Sequence, residues 1–524
     1  MKQEPYASSE SILLFGFMDP FFLDTTKYLC SLYDEVVLVT ADSLMSITPV
    51  LGNLKYLRYE LLYQVDTVSL AFESSDKAVL DAWEYAQFSE CKSYFVRLLD
   101  RVYLSPLSCY HQEYYFRELL SYWIGYLRNR PNIKKVVFHA TPHLQAEIVL
   151  FYVARFLNRA TVIIRRTAID DSIVLASDFR VGRSQLIHVS NAEVKYGKDN
   201  FTQASKRECF ALKLSKSIIG VYKSDADSNS NTPRKIKVLM QKIRSAVPSL
   251  ISLIFTWLSN DWYCLKMSRK DMVAFRIKRE FQRFKSVQWL SQNTVTPNFS
   301  ENYVYFPLHF RPERSTMPEA NEFFDQVSCL ALISAVIPDD WKIYVKEHPR
   351  QIDDVIDPDL RRINFPETLL YRRITKVPKT IFVPTNTSSI KLIENCRLTA
   401  SCTGSTIWEG LNKGKPGITF GDTWHSACAS SPVVQTHEDL ESSISKLSQK
   451  TPEEVTQDVE EFLEYIYYYI VHTAYSHASA IASNQKYSLL VKNISLSIKE
   501  ASNDSTELRG VDDPITNFLI DRGA

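Results

Sequence analysis

Several common marks of protein classes are missing from this sequence of 524 residues. Its nine cysteines include no C-x-x-C pair, which argues against a zinc ribbon and a disulfide framework and favours a reducing compartment. No stretch reaches the roughly 20 apolar residues that span a bilayer. The first residues also lack the basic start and long apolar run of a secretory signal. We therefore expect a cytoplasmic protein.

Two nucleotide-binding motifs are absent as well. Neither G-x-x-x-x-G-K-S/T nor G-x-G-x-x-G occurs in the chain, so NTPase and dinucleotide-binding functions lose their main support. What remains is an ordinary globular composition, 45% hydrophobic and 23% charged. The length predicts two to three folding units, each large enough to close its own core.

Net charge is nearly absent, with 61 basic against 60 acidic residues, which argues against a general nucleic-acid binder. The charge is unevenly distributed, however, because residues 234–285 hold 13 Lys and Arg against three acids. An apolar stretch with two tryptophans, Pro248–Leu265, lies inside this segment. The pattern predicts a basic amphipathic helical insertion. Two roles are open for it: docking on a membrane, or a solvated hairpin that covers the first domain.

The first part of the chain predicts a parallel sheet. Short β-branched runs at Ser11–Phe17, Glu35–Thr40 and Lys134–His139 are typical of strands buried on both faces. Residues 144–157 have helical spacing and are followed by another short strand, which makes a βαβ unit. Residues 55–130, rich in Tyr, Leu and Phe at helical spacing, are predicted to be helices packed on that sheet.

A second alternation of strands and helices begins at Asn302 and predicts another doubly wound sheet. After it, Thr451 and Glu454 flank Pro452 in a capping-box pattern that predicts the start of a helix. The predicted strands are Tyr303–Pro307, Trp341–Lys346, Thr380–Val383, Leu398–Cys402 and Gly417–Phe420, and the predicted helices are Asn321–Val336, Ser388–Asn395 and Thr406–Lys413.

Four polar clusters follow strands of this second region, where ligands bind in open α/β sheets. They are Leu308–Thr316, Lys346–Arg350, Pro384–Ser389 and Thr403–Glu409. The last is the strongest candidate, because glycine allows close backbone approach and hydroxyls at a helix start suit an anion such as phosphate. The alternative is plain N-capping of the helix by Ser405 or Thr406.

Two histidine clusters are further candidates. His348, next to Lys346 and before a proline, could donate to phosphate or protonate a leaving group; a structural histidine is the alternative. His309, Arg311 and Glu313 lie on one loop toward the presumed cleft, and the alternative there is a surface ion pair between Arg311 and Glu313.

Taken together, three of these motifs resemble the capsule polysaccharide biosynthesis family, whose best-known members are bacterial transferases of 3-deoxy-D-manno-octulosonic acid (Kdo). The resemblance covers residues 302–425 and is carried by Tyr303–Thr316, by Val345–Pro349, and by Cys402–Gly410 with the glycines that follow. Arg311 stands where glutamine is frequent in that family. The resemblance implies an α/β, GT-B-like glycosyltransferase: two Rossmann-like domains face each other across a cleft, and the chain also carries the basic helical insertion.

The resemblance also implies roles for the motif residues. A CMP-activated sugar would be bound through its phosphate by His348, Ser405 and Thr406, with Glu409 on the nucleotide-side helix and Glu313 at the reaction centre. The full set of candidate residues is catalytic Glu313, His309 and His348, and donor-binding Arg311, Lys346, His348, Thr403, Gly404, Ser405, Thr406 and Glu409. No clustered His and Asp ligand set is visible, so we expect catalysis without metal or cofactor.

The expected reaction is transfer of an acidic sugar, Kdo first of all, to a glycan or lipid-linked acceptor, with no nucleic acid as partner. A carboxylate would act on the sugar side, either as base or as nucleophile. Further candidates for it are Asp19, Glu147, Asp170 and Asp171, and the alternative for each is a solvated or helix-capping residue. The basic insertion would dock the enzyme on the anionic inner face of the membrane. Two alternatives remain open: a CDP-glycerol or CDP-ribitol polymer transferase, and an inactive scaffold subunit.

The chain is expected to divide into five parts. We expect an N-terminal Rossmann-like acceptor-side domain at 1–222, a linker and basic insertion at 223–300, a C-terminal Rossmann-like nucleotide-sugar domain at 301–445, C-terminal helices at 446–500 and a flexible tail at 501–524.

Overall fold

The computed structural model describes residues 10–41, 44, 51–63, 66–99, 107–180, 186–191, 194–195, 201, 269–311, 313–352, 367–483 and 485–501. The apolar stretch Pro248–Leu265, most of the basic insertion and the tail after residue 501 lie outside these ranges. Predictions that concern those segments stay predictions.

The described strands form two sheets. In chain order they are β1 Ser11–Phe15, β2 Glu35–Thr40, β3 Leu54–Arg58, β4 Ile133–Phe138, β5 Ala160–Arg166, β6 Ser172–Ala176, β7 Tyr303–Pro307, β8 Lys342–Lys346, β9 Thr380–Val383, β10 Leu398–Ser401, β11 Gly417–Thr419 and β12 Ile470–His472. The first sheet has the order β12-β6-β5-β4-β1-β2-β3, with β1 to β5 parallel and β6 and β12 antiparallel to their neighbours. The second has the order β11-β10-β7-β8-β9 and is parallel throughout.

Helices connect these strands and cover both sheets. In chain order they are α1 Pro20–Leu29, α2 Ala82–Ala86, α3 Ser89–Leu98, α4 Cys109–Arg128, α5 Gln145–Phe156, α6 Arg269–Asn293, α7 Gln326–Val336, α8 Pro349–Ile352, α9 Glu367–Ile374, α10 Ser389–Asn395, α11 Thr406–Leu411, α12 His437–Leu447, α13 Pro452–Ile466, α14 His477–Ala482 and α15 Tyr487–Glu500. No helix in the described ranges is long and apolar enough to cross a membrane.

Local sequence explains where several of these elements begin. All five residues of β1 are buried, as expected for a parallel strand covered on both faces. Asp19 caps α1 by accepting a hydrogen bond from the backbone N–H of Phe21. The capping box predicted at Thr451 and Glu454 is confirmed at the start of α13.

Two predictions about secondary structure were wrong. Residues 55–130 were predicted to be helices, but the segment begins with strand β3 at the edge of the sheet. Leu54 and Leu57 are its buried side chains, and their spacing of three imitates a helix. The predicted helix Asn321–Val336 is a short 3₁₀ turn, Asn321–Phe324, followed by α7, which Asp325 caps.

The last part of the chain returns to the first domain, which the prediction of helices alone at 446–500 did not include. Strand β12 pairs with β6, and α15 packs against α1. On the way, α13 packs on α11 of the second domain. One apolar cluster therefore holds residues of both domains, with Trp408, Trp424 and Phe462 next to Val174 and Ile470.

The carboxyl ends of the two sheets face each other. Thr141, just after β4, donates to Glu319 on the long loop after β7 at 2.6 Å. Arg165, near the end of β5, donates to the carboxylate and to the backbone carbonyl of Asp422 after β11, both at 2.6 Å. Two doubly wound sheets with facing carboxyl edges are the GT-B-like arrangement that the sequence predicts.

The pair of Arg165 and Asp422 generates a stability prediction. Only 7% of the Arg165 side chain and 17% of the Asp422 side chain are exposed, so Arg165→Met leaves a carboxylate buried without its partner. We expect a loss of about 3–5 kcal/mol in the free energy of unfolding. The control is Arg97→Met: 66% of the side chain of its partner Glu322 is exposed, so this change should cost less than about 1 kcal/mol. Equal losses in urea unfolding would contradict the prediction.

Candidate active site

The ring of His309 joins two of the predicted motif loops. Its Nε2 lies 2.9 Å from the hydroxyl of Ser401 and 3.3 Å from the backbone nitrogen of Thr403. Its Nδ1 lies 3.1 Å from the hydroxyl of Ser315. Thr403 adds a further bond from its hydroxyl to the carbonyl of Ser315, at 2.7 Å. The loop after β7 and the turn after β10 are therefore held together by one buried histidine.

The direction of these hydrogen bonds follows from their neighbours. The Gly404 N–H donates to Ser401 Oγ at 3.0 Å, so the Ser401 hydroxyl can give its hydrogen to Nε2 of a neutral His309. On the other side, Ser315 donates to the carboxylate of Glu313 at 2.8 Å and can accept from Nδ1–H. A continuous hydrogen-bonded chain thus runs from the turn after β10 to Glu313.

Glu313 is an ionised and partly exposed carboxylate. Burial raises the pKa of Glu313, but the nearby His309, the hydrogen bond from Ser315 and the charge of His348 lower it to about 2. In turn, burial lowers the pKa of His309, and the Glu313 carboxylate outweighs it, so the pKa is raised overall. Because 48% of the Glu313 side chain is exposed, the carboxylate is accessible to solvent.

Arg311 has a different partner from the one that the surface-pair alternative would require. Its guanidinium donates to the buried carboxylate of Glu347 at 2.6 Å and to the carbonyl of His309 at 2.7 Å. Glu347 also accepts from the backbone N–H of His348 at 2.6 Å. Arg311 therefore joins the loop after β7 to the His-Pro loop, and the ring of His348 lies 5.6 Å from that of Phe310.

Lys346 connects its own cluster, Lys346–Arg350, to the cluster Pro384–Ser389. Its buried ammonium donates to the carbonyl of Thr387 at 2.6 Å and to the hydroxyl of Ser389 at 2.8 Å. Burial lowers the pKa of Lys346 to about 8, although the charge of Glu409 opposes that shift. Burial also raises the pKa of Glu409, on α11. All four predicted clusters at the carboxyl edge are thus linked to one another.

The turn before α11 is not closed by an ordinary cap. Ser405, at the capping position, makes no side-chain bond to the helix backbone; its exposed hydroxyl donates to Glu409 at 3.2 Å instead. Gly404 is required for close packing, because a Cβ there would lie 2.5 Å from Ser401 Oγ. Thr406, the first residue of α11, is half-buried.

A second set of polar contacts joins Glu319 and Arg314 of the second domain to the first domain. Glu319, which accepts from Thr141, also pairs with Arg314 at 3.2 Å. Arg314 reaches further to the hydroxyl of Tyr475 at 2.9 Å. Its charge acts on His139, just after β4, and burial lowers the pKa of that histidine to about 4. The sequence analysis missed Arg314 and Glu319, although both lie next to the motif residues.

The four N-terminal carboxylates have distinct places. Asp19 and Glu147 both act at helix starts: Asp19 also accepts from the backbone of His477, and Glu147 accepts from two N–H groups before α5. Asp171 lies on the turn between β5 and β6 and accepts a hydrogen bond from the hydroxyl of Ser483. Asp170 precedes it on the same turn. Within the described ranges no three His, Cys, Asp or Glu side chains come together to hold a metal ion. Catalysis without a metal stays a prediction.

Comparison with known proteins gives overlaps of low similarity. No family model matches the chain, and no curated protein matches it. Among solved structures, the UDP-GlcNAc 2-epimerase of Methanocaldococcus jannaschii is 11% identical, with a TM-score of 0.22, over 87% of this chain and 99% of that one. The beta Kdo 2,7 transferase KpsC of Thermosulfurimonas dismutans is 10% identical, with a TM-score of 0.26, over 73% and 97%. The glycosyl transferase family 9 protein of Veillonella parvula is 11% identical, with a TM-score of 0.19, over 87% and 98%.

At these scores the overlaps say nothing about the reaction. The class of this protein rests on its own two sheets, which make it an α/β protein with a GT-B-like arrangement.

The low pKa of Glu313 predicts a pH dependence of stability. A carboxyl group whose folded pKa lies below the unfolded value of about 4.3 stabilises the fold above that value. This contribution is lost as pH falls through the folded pKa of about 2. Between about pH 4.5 and about pH 2.5, we expect the melting temperature of Glu313→Gln to fall less than that of the wild type. Parallel melting curves in this window would contradict the prediction.

Gly404 gives a second prediction. Gly404→Ala should displace the turn after β10, because the new methyl group would meet Ser401 Oγ, at a cost of about 1–3 kcal/mol. Gly52→Ala is the matched control, since nothing lies within 4 Å of a Cβ there. Thermal unfolding of both variants measures the difference, and a Gly404 variant as stable as the control would refute the close approach.

Proposed function

We propose that this protein is a glycosyltransferase that moves an acidic sugar, Kdo first of all, from its CMP-activated donor to a glycan or lipid-linked acceptor in capsule or surface polysaccharide synthesis. The observation that carries the proposal is the linkage of four polar loops at one carboxyl edge, around an ionised Glu313. This edge faces the carboxyl edge of the first α/β domain, and donor and acceptor would bind between the two.

The donor phosphate would bind on the side of the turn after β10. Departure of CMP leaves negative charge on a phosphate oxygen, and donors placed in advance stabilise that charge. Ser405, Thr406 and His348 supply hydroxyl and imidazole donors, and the Thr403–Gly404 backbone shapes the turn. Lys346, with its pKa near 8, keeps its positive charge at neutral pH on the nucleotide side, close to Glu409.

Glu313 would act on the sugar. A group with a pKa of about 2 is a weak base at neutral pH, because a general base works best when its pKa lies near the operating pH. A permanent negative charge instead suits stabilisation of an oxocarbenium-like sugar, or direct attack on the anomeric carbon. His309 and Arg311 would serve by positioning Glu313 and His348.

Helix α6 supports the proposed docking on an anionic membrane. Its described part exposes Phe281, Phe284 and Val287, and the ammonium of Lys285 lies 4.3 Å from the ring centroid of Phe281. Exposed aromatic residues among cations suit the interface of an anionic bilayer, where each cation contributes about 1 kcal/mol. The remainder of the basic segment lies outside the described residues.

A thermal melt with nucleotides tests the donor class. We expect CMP to raise the melting temperature, since a ligand that binds only the folded state stabilises it, while UDP, GDP and NAD should leave it unchanged. Release of CMP from CMP-Kdo, compared with release from CDP-glycerol, then separates the transferase from a polymer phosphotransferase. Stabilisation by UDP alone would overturn the proposal.

Variants of the motif residues test whether the site is catalytic. Glu313→Gln and His348→Ala should lower CMP release from CMP-Kdo at least about 100-fold and leave the fold intact by circular dichroism. His111→Ala, an exposed histidine of the first domain, is the matched control. A wild type that turns over no CMP-sugar would favour the scaffold alternative.

A further inference from the structure

We infer that His143 of the first domain is the catalytic base that takes the proton of the attacking hydroxyl, and that Glu147 is its positioning residue. The inference rests on the proposed function, because it names the group that completes the same transfer reaction. Glu313, with its pKa of about 2, leaves this task open.

The protonation of the His143 ring is fixed by an acceptor that has no hydrogen. Nδ1 lies 2.8 Å from the backbone carbonyl of Thr141, which can only accept, so Nδ1 carries the hydrogen in the neutral ring. The same nitrogen lies 3.2 Å from Glu147 Oε2. Nε2 is therefore the nitrogen with the lone pair, as a general base requires.

Glu147 is held in place and ionised. Its carboxylate accepts from the backbone N–H groups of His143 at 2.7 Å and Leu144 at 3.1 Å, and only 4% of its side chain is exposed. Burial raises the pKa of Glu147, but His143, His139 and the backbone bonds outweigh it, and the net shift is downward. A fixed negative charge beside Nδ1 stabilises the imidazolium that forms when Nε2 takes a proton.

His143 also lies close to a contact between the two domains. Thr141, two residues earlier, donates to Glu319 of the second domain, and 24% of the His143 side chain is exposed. The ring of His139 is 6.5 Å from that of His143 and is influenced by the charge of Arg314, the residue after Glu313. The charged and titratable groups shown beside His143 are thus Glu147 on α5 and His139 after β4, and Arg314 after β7 acts on His139.

His139 is the less suitable base of the two. Its pKa is lowered to about 4, and it is packed against Gly16, where a Cβ would lie 2.1 Å from its Nδ1. His143 combines partial exposure with a carboxylate partner, which His139 does not share within hydrogen-bond distance among the described contacts.

The step balances as follows. The acceptor oxygen forms a bond to the anomeric carbon, directly or after a covalent intermediate on Glu313, and its proton moves to Nε2 of His143. The bond between the anomeric carbon and the phosphate oxygen breaks, and its electron pair leaves with CMP. The proton on His143 then passes to solvent, so no oxidant or metal takes part in the balance.

Azide distinguishes a base from a structural residue. The test measures CMP release from CMP-Kdo with water as the acceptor, after subtraction of the enzyme-free rate. His143→Ala should lower this rate by about 10²–10⁴-fold, the usual loss when a general base is removed. Sodium azide, a nucleophile that has no proton to lose, should restore much of that rate in the variant. His111→Ala should behave as the wild type with and without azide.

A pH profile tests the role of Glu147. Loss of its negative charge in Glu147→Gln destabilises the imidazolium, so the acidic limb of kcat/KM should move to lower pH, with a lower plateau. A merely structural loss would lower the whole profile without moving its limb. Circular dichroism and CMP-induced stabilisation of both variants show whether fold and donor binding are retained.

The failures of the two proposals are distinguishable. If the wild type releases CMP from CMP-Kdo but His143→Ala keeps the wild-type rate, or loses it without rescue by azide, the inference about His143 is overturned and the transferase stands. If the wild type neither binds CMP nor turns over CMP-Kdo, both are overturned.

Discussion

The candidate site depends on one buried histidine. The two ring nitrogens of His309 bind to groups on different loops, Ser315 after β7 and Ser401 with Thr403 after β10. Without that ring, the bond from the Thr403 hydroxyl to the Ser315 carbonyl would still join the two loops, but both bonds from the ring to hydroxyl groups would be lost. The low pKa of Glu313 depends on the same ring, because His309 is the largest source of its stabilisation.

Sequence patterns predicted much of this arrangement for a physical reason. Buried parallel strands leave short apolar runs, and polar residues directly after such runs must collect at one edge of a parallel sheet. Each of the four predicted clusters contributes to the linked network: His309 and Glu313, Lys346, Ser389, and Thr403 with Gly404. Patterning could not show which charge finds which partner, so the pairing of Arg311 with Glu347 was not foreseen.

Contacts far apart in sequence were the other part that patterns could not supply. Strand β3 has buried leucines at helical spacing, and only its pairing with β2 makes it a strand. Strand β12 has three residues, too few for any periodicity. The cross-cleft bonds of Thr141 and Arg165 join residues 178 and 257 positions apart, which no local pattern records.

The return of the chain end to the first sheet has a consequence for synthesis on the ribosome. Until Ile470–His472 has emerged, the edge of strand β6 at Ser172–Val174 lacks its partner strand, and the apolar side of α1 is not yet covered by α15. Nascent chains of intermediate length therefore carry an open sheet edge and uncovered apolar surface, a combination that promotes aggregation. The first domain is therefore complete only when residues from both ends of the chain have been synthesised.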